Sequence, residues 1–115
     1  MSTTISTHVL DISLGAPAAG IRVQIARVDA AGSSVVFGEG ITNTDGRVPA
    51  LAPIGAALVA GRYRLRFEVA TYFSLTKRAS FYDEITIDFR VADTAAHYHV
   101  PLLLSPFGYS TYRGS

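Results

Sequence analysis

The sequence predicts an all-β protein, an antiparallel β-sandwich of seven to eight strands with one short helix. Apolar and polar residues alternate with period two in several short runs, which is the half-buried strand pattern. Clusters of Gly, Pro, Asn, Asp and Ser separate those runs at intervals of about 8–12 residues, as in sandwiches. No internal repeat, low-complexity tract or linker divides the 115 residues, so a single domain over residues 1–115 is expected.

The elements follow in order. Residues 7–14 read as a strand, with His8, Leu10, Ile12 and Leu14 on one face and Thr7, Val9, Asp11 and Ser13 on the other. Gly15–Gly20 reads as a loop. Ile21, Val23 and Ile25 alternate with Arg22, Gln24 and Ala26, and the slip at Arg27–Val28 points to a bulge. Val35–Thr42 forms a third strand, weakened by Gly38 and Gly40. Asn43-Thr-Asp-Gly46 is a hairpin-type turn, because Asp-Gly tolerates positive φ, and Arg47–Val48 follows as a very short strand. Pro49–Gly61 reads as loop. Tyr63, Leu65, Phe67 and Val69 alternate with Arg64, Arg66 and Glu68, and Ile85–Val91 repeats the pattern. Thr71–Arg78 lacks alternation and has room for one or two helical turns. His97–Leu104, a turn at Ser105–Gly108 and a strand running to Ser115 close the chain as a hairpin.

Composition narrows the function. A formal charge of +1 gives no electrostatic case for nucleic acid or a membrane surface. Zero cysteines exclude disulfides, thiolate metal sites and Cys nucleophiles. No apolar run reaches the ~18 residues of a membrane span, and the first residues lack a secretory pattern, so a cytoplasmic protein is expected. Hydrophobic residues make up 49% and charged ones 17%, a balance that favours burial of part of the surface against other subunits. Both faces of the His97–Leu104 strand carry apolar residues, which argues the same way.

Three His and one loop Arg are the candidates for chemistry. On spacing alone, His8 reads as a core or interface histidine satisfied by one hydrogen bond. His97 and His99 share a strand face, a possible metal half-site, but no further ligands accompany them and metal is not expected. His97 itself reads as a solvent-exposed edge residue. Arg47 reads as solvated, and Pro101 marks an edge or an interrupted ladder. No nucleophile elbow, phosphate loop or dinucleotide fingerprint is present. These residues by themselves leave a binding module and an enzyme both open.

Three segments add a resemblance. Ser6-Thr-His-Val-Leu-Asp11, Thr44-Asp-Gly-Arg-Val48, and His99-Val-Pro-Leu-Leu-Leu-Ser-Pro106 with the ending Tyr109-Ser-Thr-Tyr-Arg-Gly-Ser115 resemble, in order, the signatures of the transthyretin-related 5-hydroxyisourate hydrolases. The final Tyr-Arg-Gly-Ser is the most specific part, since transthyretins proper lack it. The resemblance implies a transthyretin-like sandwich and a cytoplasmic enzyme of urate catabolism. It would open the ring of 5-hydroxyisourate to 2-oxo-4-hydroxy-4-carboxy-5-ureidoimidazoline without a cofactor. It also implies a homotetramer with active sites at the dimer–dimer interface. His8, Arg47, His99 and Ser115 would be catalytic, and His8, Arg47, Tyr112 and Arg113 would bind substrate. His8 is expected to activate water, His99 to orient it or move protons, Arg47 to stabilise negative charge, and Ser115 to tune a His through its hydroxyl or terminal carboxylate. The alternative is a non-catalytic carrier of a small aromatic ligand.

Overall fold

A computed structural model describes residues 4–51 and 58–115; part of the expected Pro49–Gly61 loop therefore lies outside the described residues. Among the described residues nine strands and one helix follow in order: β1 (Thr4–Asp11), β2 (Ala16–Pro17), β3 (Arg22–Val28), β4 (Ser34–Ile41), β5 (Arg47–Val48), β6 (Gly61–Phe67), α1 (Val69–Leu75), β7 (Ile85–Val91), β8 (His97–Ser105) and β9 (Gly108–Thr111). One sheet has the order β2-β1-β8-β9 with β5 also paired to β1, and the other runs β4-β3-β6-β7. The strands expected from alternation are present, and two-residue β2 is an addition inside the expected Gly15–Gly20 loop. Among the described strands every pair is antiparallel except β1 with β8, which run parallel in the register Thr4↔His97 to Asp11↔Leu104.

The core lies between the sheets. Val23, Ile25, Leu65, Phe67, Leu102 and Leu104 are fully enclosed there. On β1 the inward face is Ile5, Thr7, Val9 and Asp11, so the strand starts and ends earlier than its hydropathy suggests. Ile12 and Leu14, expected to continue it, are 55% and 60% exposed. Thr7 tolerates burial because its hydroxyl donates to the Val100 carbonyl at 2.6 Å, tying β1 to β8. α1 begins at Val69 rather than Thr71, and Val69, Tyr72 and Phe73 are its buried positions.

Three local expectations are corrected. The bulge lies on β4, where Phe37 is the extra residue between the pairs Ile25↔Gly38 and Ala26↔Val36, and not at Arg27–Val28. The Asn43–Gly46 turn does adopt positive φ at Gly46 (76°), but it carries the chain from one sheet to the other instead of closing a hairpin. Asn43 Oδ1 accepts from the Asp45 and Arg47 amides, which sets the start of β5. The last strand stops at Thr111, and the chain touches β8 again through the bridge His99↔Gly114.

That interruption traces to Pro101. The His99 carbonyl accepts the Gly114 amide at 2.7 Å, and the Pro101 carbonyl accepts the Thr111 hydroxyl at 2.7 Å. Carbonyls of alternate residues thus point to the C-terminal side, and on that side Pro101 has no N–H to offer. The ladder lapses opposite Pro101, and Tyr112–Arg113 swings out of the sheet. No helix among the described residues is long and apolar enough to cross a membrane.

Candidate active site

The site forms on the outer face of the β5-β1-β8 sheet. Ser6 and His8 alternate outward on β1, and His97 and His99 do so on β8. Parallel register sets Ser6 beside His99 and His8 beside Pro101. On the other side of β1, His8 pairs with Arg47. Two strand spacings, about 10 Å, therefore separate Arg47 from the β8 histidines, the width of a small planar ligand. A cavity of about 280 Å³ opens here, lined by Ser6, Thr7, Arg47, Pro49, His97, His99 and Ser115. That is at the small end of ligand pockets, which run from ~300 to 1,000 Å³.

His99 is half-buried, and its Nδ1 lies 2.8 Å from the Ser6 hydroxyl. The same hydroxyl lies 3.2 Å from His97 Nε2, and Thr4 hydrogen-bonds His97 Nδ1. The two imidazoles lie nearly parallel, 14° apart with centroids 6.3 Å apart. Burial, followed by the positive fields of Arg47, His97 and His8, holds His99 below the ordinary imidazole pKa. A neutral imidazole at neutral pH can accept a proton from water. Arg47 is exposed, and among the described residues its guanidinium meets no carboxylate. A free, fork-shaped cation beside a neutral imidazole can hold an anionic or carbonyl oxygen while the imidazole works on water. Among the described residues no three His, Cys, Asp or Glu side chains converge to hold a metal ion.

The structure brings His99, Arg47 and Ser115 to one cavity, with His8 next to it on the same face. Tyr112 and Arg113 go elsewhere. The Arg113 guanidinium lies 4.4 Å from the Tyr98 ring centroid, and both residues line a separate cavity of about 250 Å³ against Ile87–Arg90 of β7. His97, read as an exposed edge residue, is exposed but engaged by Thr4 and Ser6. Ser6 was missed altogether. Its sequence signals are its place two residues before His8, on the same strand face, and at the head of the Ser6–Asp11 segment.

Gly114 presses the chain end against this face. A Cβ there would sit 2.6 Å from His99 Cδ2 and 3.3 Å from Pro101 Cγ. Gly114→Ala should therefore displace either the His99 ring or Ser115. A misplacement of ~1 Å predicts a turnover loss of up to about 10²-fold with little change in thermal midpoint, checked by kinetics alongside a melt.

The family model described as "HIUase/Transthyretin family" matches residues 5–114. A 5-hydroxyisourate hydrolase of Deinococcus radiodurans is 47% identical over 114 residues, covering 96% of this chain and 95% of the relative. A solved structure of Klebsiella pneumoniae 5-hydroxyisourate hydrolase is 40% identical, with TM-score 0.82, covering 98% of this chain and 94% of that one. A sea bream transthyretin solved with thyroxine superposes with TM-score 0.88 at 26% identity, covering 96% and 94%.

Proposed function

Because the chain belongs to the HIUase/Transthyretin family, we propose that it is a hydrolase that opens the six-membered ring of 5-hydroxyisourate in urate catabolism. The fold alone does not separate this reading from the carrier one, since a thyroxine-bound transthyretin shares it. The observation that carries the hydrolase reading is the meeting at one small cavity of a neutral imidazole, His99, and a guanidinium, Arg47, that meets no carboxylate among the described residues. A hydrophobic carrier channel has no use for either.

In this mechanism water attacks a ring carbonyl, and the ring C–N bond breaks to give 2-oxo-4-hydroxy-4-carboxy-5-ureidoimidazoline. His99 accepts the proton of the attacking water. The lining of the cavity favours it over His8 for that task, the reverse of the division expected from sequence. His8, one strand across and paired with Arg47, orients substrate or water. Arg47 stabilises the developing oxyanion, and Ser115 borders the same space. Tyr112 and Arg113 bind substrate only if assembly turns their cavity toward it. We include a homotetramer with sites at the dimer–dimer interface in the proposal. Exposed Ile12, Leu14 and Phe107 support further burial between subunits. Analytical ultracentrifugation tests the assembly, and cell fractionation tests a cytoplasmic location.

The direct test generates 5-hydroxyisourate with urate oxidase and follows its absorbance decay with and without this protein. Acceleration over the spontaneous rate supports the reading; an unchanged decay ends it. Arg47→Ala should lower kcat by about 10²–10³, the usual cost of removing one oxyanion donor, while Arg47→Lys recovers only part because the planar fork is lost.

A further inference from the structure

We propose that Ser6 and His97 form a proton outlet behind His99, through which the proton taken up in the cavity leaves to solvent and a second proton returns. The proposal rests on the reading of His99 as the group that accepts a proton from water. His99 is half-buried and His97 is exposed, and the Ser6 hydroxyl lies between Nδ1 of the first and Nε2 of the second, at 2.8 and 3.2 Å. Thr4 stands at the far nitrogen of His97. The parallel pairing of β1 with β8 produces this row, because Thr4 lies opposite His97 and Ser6 opposite His99.

A hydroxyl has one proton, so Ser6 cannot donate to both rings. Its two lone pairs would let it accept from both, but a row that conducts a proton needs it to accept from one ring and donate to the other, so the row has a single direction at any moment. In one direction His99 Nδ1–H donates to Ser6, Ser6 donates to His97 Nε2, and His97 Nδ1–H donates to Thr4. His99 Nε2 is then a bare lone pair, a base. When it takes a proton from water, its Nδ1 proton moves to Ser6 Oγ as the Ser6 proton moves to His97 Nε2. His97 releases its Nδ1 proton at the exposed edge.

The row now points the other way, and His99 carries N–H at Nε2. It can protonate the departing ring nitrogen while a proton re-enters through His97 and Ser6. One proton has left and one has returned, as ring hydrolysis requires. The surroundings favour rapid clearance. Arg47 from β5, His8 from β1 and His97 from β8 all disfavour a lasting charge on His99, and Gly114 closes one edge of its ring.

The test compares Ser6→Ala, Ser6→Thr and His97→Gln with the wild-type protein in kcat, KM and pH profile. Ser6→Ala and His97→Gln should each lower kcat about tenfold or more with KM within about twofold, and Ser6→Thr should restore most of the loss. Added imidazole buffer should partly rescue His97→Gln. A kcat for Ser6→Ala within about twofold of wild type across the pH range overturns the outlet, as does a loss confined to KM. Nuclear magnetic resonance of the ring nitrogens, without substrate, separates this from failure of the hydrolase reading. Loss of a single His99 tautomer in Ser6→Ala supports the row; an unchanged His99 spectrum overturns it even if the protein is a hydrolase.

Discussion

His99→Asn should lower kcat by roughly 10²–10⁴, the usual contribution of a positioned base, with KM little changed. Asparagine keeps a polar group toward Ser6 and nearly fills the half-buried site, so the melt should stay close to wild type. The pH profile carries the sharper information. Burial first, then Arg47, His97 and His8, keep the folded-state pKa of His99 below the usual ~6.5, so the base form persists as pH falls past that value. The acid limb of kcat/KM should therefore lie below ~6.5. Replacing Arg47 with Gln removes one of the positive fields and should move that limb upward. A limb at the unperturbed value in wild type, unmoved by Arg47→Gln, would remove His99 from the base role.

The second large effect falls on stability. Asp11 closes β1 with a fully buried carboxylate that accepts from the Tyr72 hydroxyl at 2.7 Å, the Ser13 hydroxyl at 2.5 Å and Arg78 Nη2 at 2.5 Å. The Arg78 guanidinium also lies 5.0 Å from the Phe73 ring centroid, so one carboxylate joins β1 to the helix and the loop after it. Burial pushes the Asp11 carboxyl up, but hydrogen bonds from Arg78, Ser13 and Tyr72 outweigh it and bring it down to about 2.

Asp11→Ala leaves a buried hydroxyl and a partly buried cation without their acceptor. The expected loss is about 3 kcal/mol, at the lower end for broken buried pairs because Arg78 keeps some solvent, or roughly 10–15 °C in melting temperature. The depressed pKa also has a sign in pH. It contributes stability that is present above the ordinary carboxylate value of 3.8 and lost as pH falls through about 2, on the order of 2 kcal/mol in all. Urea titrations at pH 7 and pH 2 should show that difference in wild type and a smaller one in Asp11→Asn. Equal pH dependence in both would contradict the account.

Much of the site was legible because its residues lie in short local patterns. Arg47 follows a turn that Asp-Gly dictates, and the structure puts it at the start of β5, where the Asn43 side chain holds its amide. Pro101 marked either an edge or an interrupted ladder, and the ladder is interrupted there. The face assignment on β1 was harder. Thr7 and Asp11 are buried while Ile12 and Leu14 are exposed, so hydropathy extended the strand past its end. The polar pair is tolerated because Val100, Tyr72 and Arg78, distant in sequence, satisfy it together with nearby Ser13.

The sequence by itself determined most of the strands, the two-sheet class and the family, because side-chain alternation and turn sterics act within a few residues. Only the tertiary structure decided that β1 lies parallel to β8, which brings Ser6 to His99 across 93 positions of chain. It alone turned Arg113 onto Tyr98 and away from the cavity that Ser115 lines. The physical reason is that strand neighbours and register follow from packing summed over the whole core, and no local run of residues encodes that sum.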